Sequence, residues 1–100
     1  MLSTKELISN ETKQTARFAK ALSHPVRLSI LKLLHSQTCC FHGDMAELLP
    51  VAKSTLSQHL NELKNAGLIQ GNIDGPNTKY CINKPNFKFA QQLLFKAFQK

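Results

Sequence analysis

The chain has 100 residues, 42% of them hydrophobic, which allows one compact domain with a core of its own. It carries 13 Lys and Arg against 6 Asp and Glu, a formal net charge of +7, which favours a polyanionic partner, nucleic acid before a membrane surface. No run approaches the roughly 20 apolar residues of a membrane span, and residues 1–6 lack the pattern of a secretion signal, so we expect a cytoplasmic protein without membrane contact.

Two helices are predicted at the N-terminal end of the chain. Ser3 followed by Glu6 forms a capping box, which predicts a first helix over residues 4–21. Pro25 suits the first turn of a second helix, because its missing N–H is not needed there. Apolar residues then recur at helical spacing, at Val26, Ile30, Leu33 and Leu34.

The middle of the chain combines a short strand with a short helix. Residues 38–41 are β-prone in composition. Asp44 and Glu47 form a second capping box, which predicts a third helix that runs to about Leu49 and stops at Pro50.

A longer helix and a strand pair follow. The fourth helix is predicted over residues 53–66, with Gly67 just beyond its C-terminus. Residues 68–70 and 78–82 have the composition of two strands, and the turn formers of residues 72–77 separate them.

The last predicted helix, residues 86–99, is apolar almost all round. A terminal helix of a monomer buries only one stripe, so the excess indicates packing against a partner chain. We therefore predict one domain over residues 1–100, mainly α with a small β wing. It has five helices and a sheet of two or three strands, and it assembles as a homodimer.

The third and fourth helices have the order typical of helix-turn-helix, in which a turn joins a short capped helix to a longer polar one. At about 100° per residue, Leu56, Leu60 and Leu63 face the core. The opposite face is uncharged and able to hydrogen-bond, and its amides suit adenine in a major groove. It comprises Ser54, Gln58, Asn61 and Asn65, flanked by Thr55 and Ser57.

Two further residues of this helix have separate predicted roles. Lys53, at the helix start, is placed for a DNA phosphate. His59 lies beside the leucine stripe, which favours a half-buried supporting role over a base contact. The alternatives are an ordinary solvent-exposed polar face and a winged-helix module that binds another protein.

Three stretches resemble the ArsR/SmtB, or arsenic-repressor, family: residues 21–31 (ALSHPVRLSIL), 54–63 (STLSQHLNEL) and 66–69 (AGLI). The resemblance covers essentially the whole length. It implies a homodimer held by its first and last helices that represses transcription at an imperfectly palindromic operator. It implies DNA binding without a cofactor, and release when a metal or metalloid binds. It also implies a wing, with Asn77 and Lys79 at the DNA backbone or minor groove.

Sensors of this family differ in where they bind metal. One zinc-type site uses Asp, His and Glu of the last helix, and residues 86–100 contain none of these and no cysteine. The arsenic-type site uses a Cys-Val-Cys-Asp pattern at the third helix. Aligned on Asp44, this chain has Phe41, His42 and Gly43 there instead, and two cysteines lie just upstream.

The candidate metal ligands are Cys39, Cys40 and Cys81, expected as free thiols in a reducing cytosol. Soft thiolates select soft metals and metalloids, and three sulfurs suit trivalent arsenic or antimony. Strand alternation puts the two adjacent cysteines on opposite faces. With Tyr80 and Ile82 inward, it leaves Cys81 outward and nearer Cys39. Arsenite or antimonite is therefore the predicted inducer.

Three alternatives stay open for the cysteines. Zinc, or cadmium in its place, would take the three cysteines with His42 as a tetrahedral set. The vicinal thiols could instead sense oxidants or sulfide-derived species. Cys40 and Cys81 could also be small core residues. An enzyme is not predicted, because the acidic residues are scattered and no nucleophile lies beside a base in the pattern.

Overall fold

The computed structural model describes residues 8–36, 40–73 and 78–99. Within these ranges the chain forms four α-helices, one short 3₁₀ helix and three strands. None of the described helices is long and apolar enough to span a membrane. The elements are, in order, α1 (Asn10–Ala21), α2 (Pro25–Ser36), β1 (Cys40–His42), the 3₁₀ helix (Met45–Glu47), α3 (Lys53–Asn65), β2 (Ile69–Asn72), β3 (Lys79–Ile82) and α4 (Lys84–Phe98).

Helix α1 begins later than predicted. Ser9 has an extended backbone (φ −78°, ψ 169°), and its side chain accepts a hydrogen bond from the Thr12 N–H at 3.2 Å. This residue is the N-cap, so the helix begins at Asn10 and the prediction of one helix over residues 4–21 is wrong at its start. The predicted capping box at Ser3 and Glu6 lies outside the described residues.

The predicted third helix is wrong in type, which reduces the count of α-helices from five to four in the described chain. Asp44 does act as an N-cap, because its Oδ1 accepts from the Ala46 N–H at 3.0 Å. The element that follows is a 3₁₀ helix of only 3 residues. Pro50 has no N–H to donate to the carbonyl four residues back, so the helical segment does not continue past it.

The three strands form one antiparallel sheet in the order β1-β3-β2. Tyr80, Ile82 and Ile69 are buried on its inner face. Cys81 and Lys79 alternate with them and lie on the opposite face. The prediction that Tyr80 and Ile82 point inward and Cys81 outward is therefore confirmed.

The core joins the helices to the inner face of this sheet. Its largest fully buried side chains include Phe18, Ile30, Leu63, Leu68 and Tyr80. The predicted inward stripe of α2 is confirmed at Ile30 and Leu34, which are buried, whereas Val26 and Leu33 are only partly buried against the core.

Helices α1 and α4 pack against each other. The rings of Phe18 and Phe89 meet edge to face with centroids 6.0 Å apart, and Lys96 pairs with Glu11 at 3.0 Å. Asn83 caps α4, so this helix begins two residues earlier than predicted. Large apolar side chains remain exposed on α4, at Phe89, Phe95 and Phe98, and just before α1, at Ile8.

Candidate nucleic-acid interface and cysteine pair

Helix α3 has the orientation that its sequence predicts. Leu56, Leu60 and Leu63 are buried, at 3%, 3% and 0% exposure. The hydrogen-bonding residues of the opposite face project into solvent, so this face is free of competing tertiary packing. Its exposed members are Ser54, Thr55, Gln58, Asn61 and Asn65, and Ser57 is half-buried beside them.

His59 fixes α3 against α2. The ring is buried, and its Nδ1 accepts a hydrogen bond from Arg27 Nε at 3.1 Å. Its centroid lies 4.2 Å from that of His24. Burial, and then the neighbouring charges of His24 and Arg27, lower the pKa of His59 below its usual value. The neutral imidazole is therefore the form that holds α3, in agreement with the predicted supporting role.

Arg27 is a supporting residue that the sequence analysis missed. Beyond its bond to His59, its Nη1 donates to the Lys20 and Ala21 carbonyls at 3.2 and 3.4 Å. These carbonyls belong to the last turn of α1, where helix carbonyls lack partners within the helix. One guanidinium thus ties α1, α2 and α3 together. Its partners are separated by up to 32 residues in the chain, so no local pattern reveals them.

The N-terminus of α3 lacks a side-chain cap. Its N-cap is Ala52, which has no oxygen to accept from the first turn. Lys53 follows, with a side chain 80% exposed and its Nζ 3.6 Å from a carboxylate oxygen of Asp44. First-turn N–H groups without a side-chain cap, the helix dipole and an exposed ammonium lie at one point, and together they suit an anionic oxygen.

The wing is attached directly to the C-terminal end of α3. Lys64 Nζ donates to the Gly71 carbonyl at 2.8 Å. Gly71 has φ +120°, and a Cβ there would meet the Lys79 carbonyl of β3. Of the two predicted wing contacts, Lys79 is exposed on β3 and Asn77 lies outside the described residues.

The cysteines are arranged differently from the prediction. Cys40 lies opposite Cys81 in the register of β1 and β3, and the two sulfurs form a disulfide. The expectation that these two are free thiols is therefore wrong, and Cys81 is bonded to Cys40 although it was expected nearer Cys39. Cys39 itself lies outside the described residues, so the three-sulfur set remains a prediction.

Cys40, Cys81 and His42 share one face of the sheet, which we call the outer sheet face. It consists of Cys40 and His42 of β1, Lys79 and Cys81 of β3, and Gln70 and Asn72 of β2. His42 is two residues beyond Cys40 in β1, and it lies opposite Lys79. Within residues 8–36, 40–73 and 78–99, no three His, Cys, Asp or Glu side chains come close enough to hold a metal ion.

The cysteine strand connects by a short path to the start of α3. His42 is followed by Gly43 and Asp44, and Asp44 both caps the 3₁₀ helix and pairs with Lys53. Thr78, just before β3, donates through Oγ1 to the Gly43 carbonyl at 2.7 Å. Gly43 alone thus separates β1 from the 3₁₀ helix cap, and one exposed ion pair links that cap to the first residue of α3.

Comparison with known proteins supports a regulatory role. Residues 22–71, from the end of α1 into β2, match the family described as a helix-turn-helix domain. The chain is 34% identical over 70 residues to the HTH-type transcriptional regulator YgaV of Escherichia coli, covering 70% of this chain and 71% of YgaV. It is 33% identical over 67 residues to the HTH-type transcriptional regulator CmtR of Mycobacterium tuberculosis, covering 67% of this chain and 56% of CmtR.

A third relative carries a more specific name. The chain is 33% identical over 78 residues to the cadmium resistance transcriptional regulatory protein CadC of Listeria innocua, covering 77% of this chain and 65% of CadC. The matched parts thus span less than two thirds of CmtR and CadC. All three relatives are named as regulators of transcription, in keeping with the expectation of a protein that is not an enzyme.

Proposed function

Because the chain belongs to the ArsR/SmtB family of DNA-binding transcriptional regulators, we propose that it is a homodimeric repressor whose cysteines release it from its operator. The observation that carries the proposal is the orientation of α3. Its leucines are buried, its uncharged hydrogen-bonding side chains are exposed, and its uncapped N-terminus adjoins Lys53.

Base reading is assigned to the exposed face of α3. Gln58 and Asn61 carry amides that form paired hydrogen bonds with adenine in the major groove. Lys53, with the first-turn N–H groups of α3, contacts a phosphate, and Lys79 contacts the backbone from the wing. The net charge of +7 adds attraction that does not depend on the DNA sequence.

A second copy of the chain packs against α1 and α4 and covers the exposed apolar side chains of α4. Phe95 and Phe98 are 70% and 85% exposed, which is unusual for aromatic side chains on a helix of a monomer. A twofold axis at these helices places two α3 helices on one side of the dimer. With half-sites about 34 Å apart, such a dimer reads an imperfect palindrome.

The predicted inducer is arsenite or antimonite, bound by Cys39, Cys40 and Cys81. The disulfide already brings two of these sulfurs together across neighbouring strands, so their reduction leaves two thiols side by side. A soft ion bound there is coordinated by the thiolates, and its coordination changes the spacing of β1 and β3. For the inducer to release DNA, the inducer-bound protein must bind DNA more weakly than the inducer-free protein does. A tenfold loss of DNA affinity corresponds to about 1.4 kcal/mol.

Two alternative inducers each have an observation in their favour. The relative CadC is named for cadmium resistance, and cadmium or zinc would bind the same thiolates. The Cys40–Cys81 disulfide favours regulation by thiol oxidation, in which an oxidant such as peroxide takes two electrons from the two thiols and is reduced to water.

The deciding experiment titrates the DNA complex with each candidate inducer. Reduced protein is bound to fluorescent duplex from the upstream region of its own operon, and arsenite, antimonite, zinc, cadmium and peroxide are added separately. We expect arsenite or antimonite to release the DNA, and the double variant Cys39→Ser with Cys40→Ser to bind DNA normally without arsenite-driven release. Arsenite-driven release from the double variant would place the site elsewhere. No preference for this duplex over random DNA would contradict operator binding itself.

A further inference from the structure

The C-terminal end of α3 is contacted by side chains of α1 and α4, the two helices assigned to the dimer contact. Arg17 of α1 donates from Nη2 to the Asn65 carbonyl, the last of α3, at 2.6 Å. Asn86 of α4 donates from Nδ2 to the Gly67 carbonyl, two residues further on, at 3.1 Å. Carbonyls at the end of a helix have no partner within that helix, so both bonds satisfy groups that α3 itself leaves open.

The turn between α3 and β2 is shaped to receive Asn86. Gly67 has φ +83°, a conformation that favours glycine. A Cβ at this position would lie 2.9 Å from Asn86 Nδ2, so the absence of a side chain leaves room for the amide. The next carbonyl, of Leu68, accepts from the N–H of Asn83, the N-cap of α4, at 2.9 Å. Two consecutive carbonyls of the turn therefore hold the start of α4.

Helices α1 and α4 are themselves joined as a pair. The rings of Phe18 and Phe89 meet edge to face, and Lys96 pairs with Glu11. Apolar contacts between helices are non-directional, whereas a hydrogen bond weakens steeply away from its preferred angle. The bonds at the C-terminal end of α3 therefore restrict the angle between α3 and this helix pair more tightly than apolar packing alone.

From these contacts we propose that Arg17 and Asn86 are positioning residues that set the angle of α3 relative to the dimer axis, and thereby the spacing of the two half-sites that one dimer reads. The inference rests on the proposed function, which assigns DNA reading to α3 and the dimer contact to α1 and α4. Neither side chain has to touch DNA. A dimer on a single half-site uses one α3, so its affinity is independent of this angle. A dimer on two half-sites uses both α3 helices at once, so its affinity depends on the angle.

The test compares two fluorescent duplexes. One is the duplex from the upstream region of the chain's own operon, on which footprinting locates the half-sites, and the other has one half-site scrambled. Asn86→Asp keeps the shape of the side chain and removes the donor, and a carboxylate in the first turn of α4 suits the helix dipole. Arg17→Ala removes the other bond. We expect each variant to bind the intact duplex about fivefold more weakly, the effect of one lost hydrogen bond, and the scrambled duplex as its control does.

Two exposed residues of α1 provide matched controls. Asn10→Asp and Lys13→Ala make the same changes of charge, so losses that come from charge alone cancel in the comparison. Equal losses on the two duplexes, or no loss on either, would overturn the positioning role and leave operator binding intact. A variant found monomeric by sedimentation would overturn it too, since its residue would then hold the dimer together. Equal binding of both duplexes by the wild-type protein would contradict the dimeric reading of the proposed function as well.

A second measurement needs no DNA. Residual dipolar couplings of backbone N–H groups report the direction of α3 relative to α4 in the free protein. We expect wild-type protein and Asn10→Asp to share one relative orientation, and Asn86→Asp to depart from it. An unchanged orientation in Asn86→Asp would overturn the assignment, even if that variant bound the intact duplex more weakly.

Discussion

The exposed face of α3 and the outer sheet face are held in place by different physical means. Behind α3 are three buried leucines and the Arg27–His59 hydrogen bond, so its orientation follows from packing. On the outer sheet face, Cys40 and Cys81 are joined by a covalent bond that a reductant can open. The comparison indicates that the orientation of α3 does not require a disulfide, whereas the geometry of the sheet depends on the chemistry of two sulfurs.

The largest expected effect comes from a substitution that removes core packing behind α3. Leu63→Ala should lower the free energy of unfolding by about 2–5 kcal/mol, because Leu63 is 0% exposed and its loss leaves a cavity. Urea denaturation measures the change. The matched control is Leu48→Ala, at a leucine that is 57% exposed, with an expected change of less than about 0.5 kcal/mol. Similar losses in the two variants would contradict the assignment of α3 to the core.

The next largest effect is expected when the Cys40–Cys81 disulfide of the outer sheet face is reduced. Reduction by dithiothreitol should lower the free energy of unfolding by about 2–4 kcal/mol, since the bond closes a loop across a sequence separation of 41 residues. Cys81→Ser should be insensitive to the reductant. Cys39→Ser should respond as the wild-type protein does, and a lost response in that variant would show that Cys39 forms the bond.

A third prediction separates base reading from phosphate contact within α3. Gln58→Ala should cost about 1–3 kcal/mol of operator affinity and much less on random DNA. Lys53→Ala should weaken both complexes and reduce the salt slope by about one unit. Fluorescence anisotropy measures both, with the exposed Gln99→Ala as control. If Gln58→Ala lowered the affinity for the operator and for random DNA equally, Gln58 would not contact the base edges.

The smallest effect concerns the protonation of His59. Its pKa is lowered in the folded protein, so the unfolded chain binds the proton more tightly. The usual pKa of histidine, 6.5, applies to the unfolded chain. Above this pH the neutral ring contributes its full stability. As the pH falls from 6.5 towards the lowered pKa of the folded protein, that contribution is progressively lost. Urea titrations from pH 7.5 to 5 should show this loss in wild-type protein and in the exposed control His42→Gln. A His59→Gln variant with an unchanged pH slope would contradict it.

Sequence periodicity predicted the orientation of α3 because helical geometry alone decides it. Three leucines at the proper spacing define the buried side, and the exposed positions of Gln58 and Asn61 then follow. In the same way, strand alternation correctly placed Tyr80 inward and Cys81 outward. These features depend on residues that are neighbours in the chain.

Features that depend on register or on distant partners were not predictable in this way. Alternation assigns each cysteine to a face but does not say which residue of β1 lies opposite Cys81, and the register selects Cys40. The capping box at Asp44 predicted a helix start correctly, but it did not reveal that the element is a 3₁₀ helix of 3 residues. The contact of Arg27 with His59 joins separate helices and has no local pattern.

The missing cap at Ala52 links the stability of the free protein to its affinity for DNA. A helix that begins without a capping oxygen leaves the N–H groups of its first turn to water, and in the proposed complex a DNA phosphate would supply the missing acceptor. Ala52→Ser would supply the capping oxygen from within the chain and stabilise the free protein by about 0.5–2 kcal/mol. The same serine would compete with the phosphate, so a gain in thermal resistance at this position comes with weaker attachment to DNA.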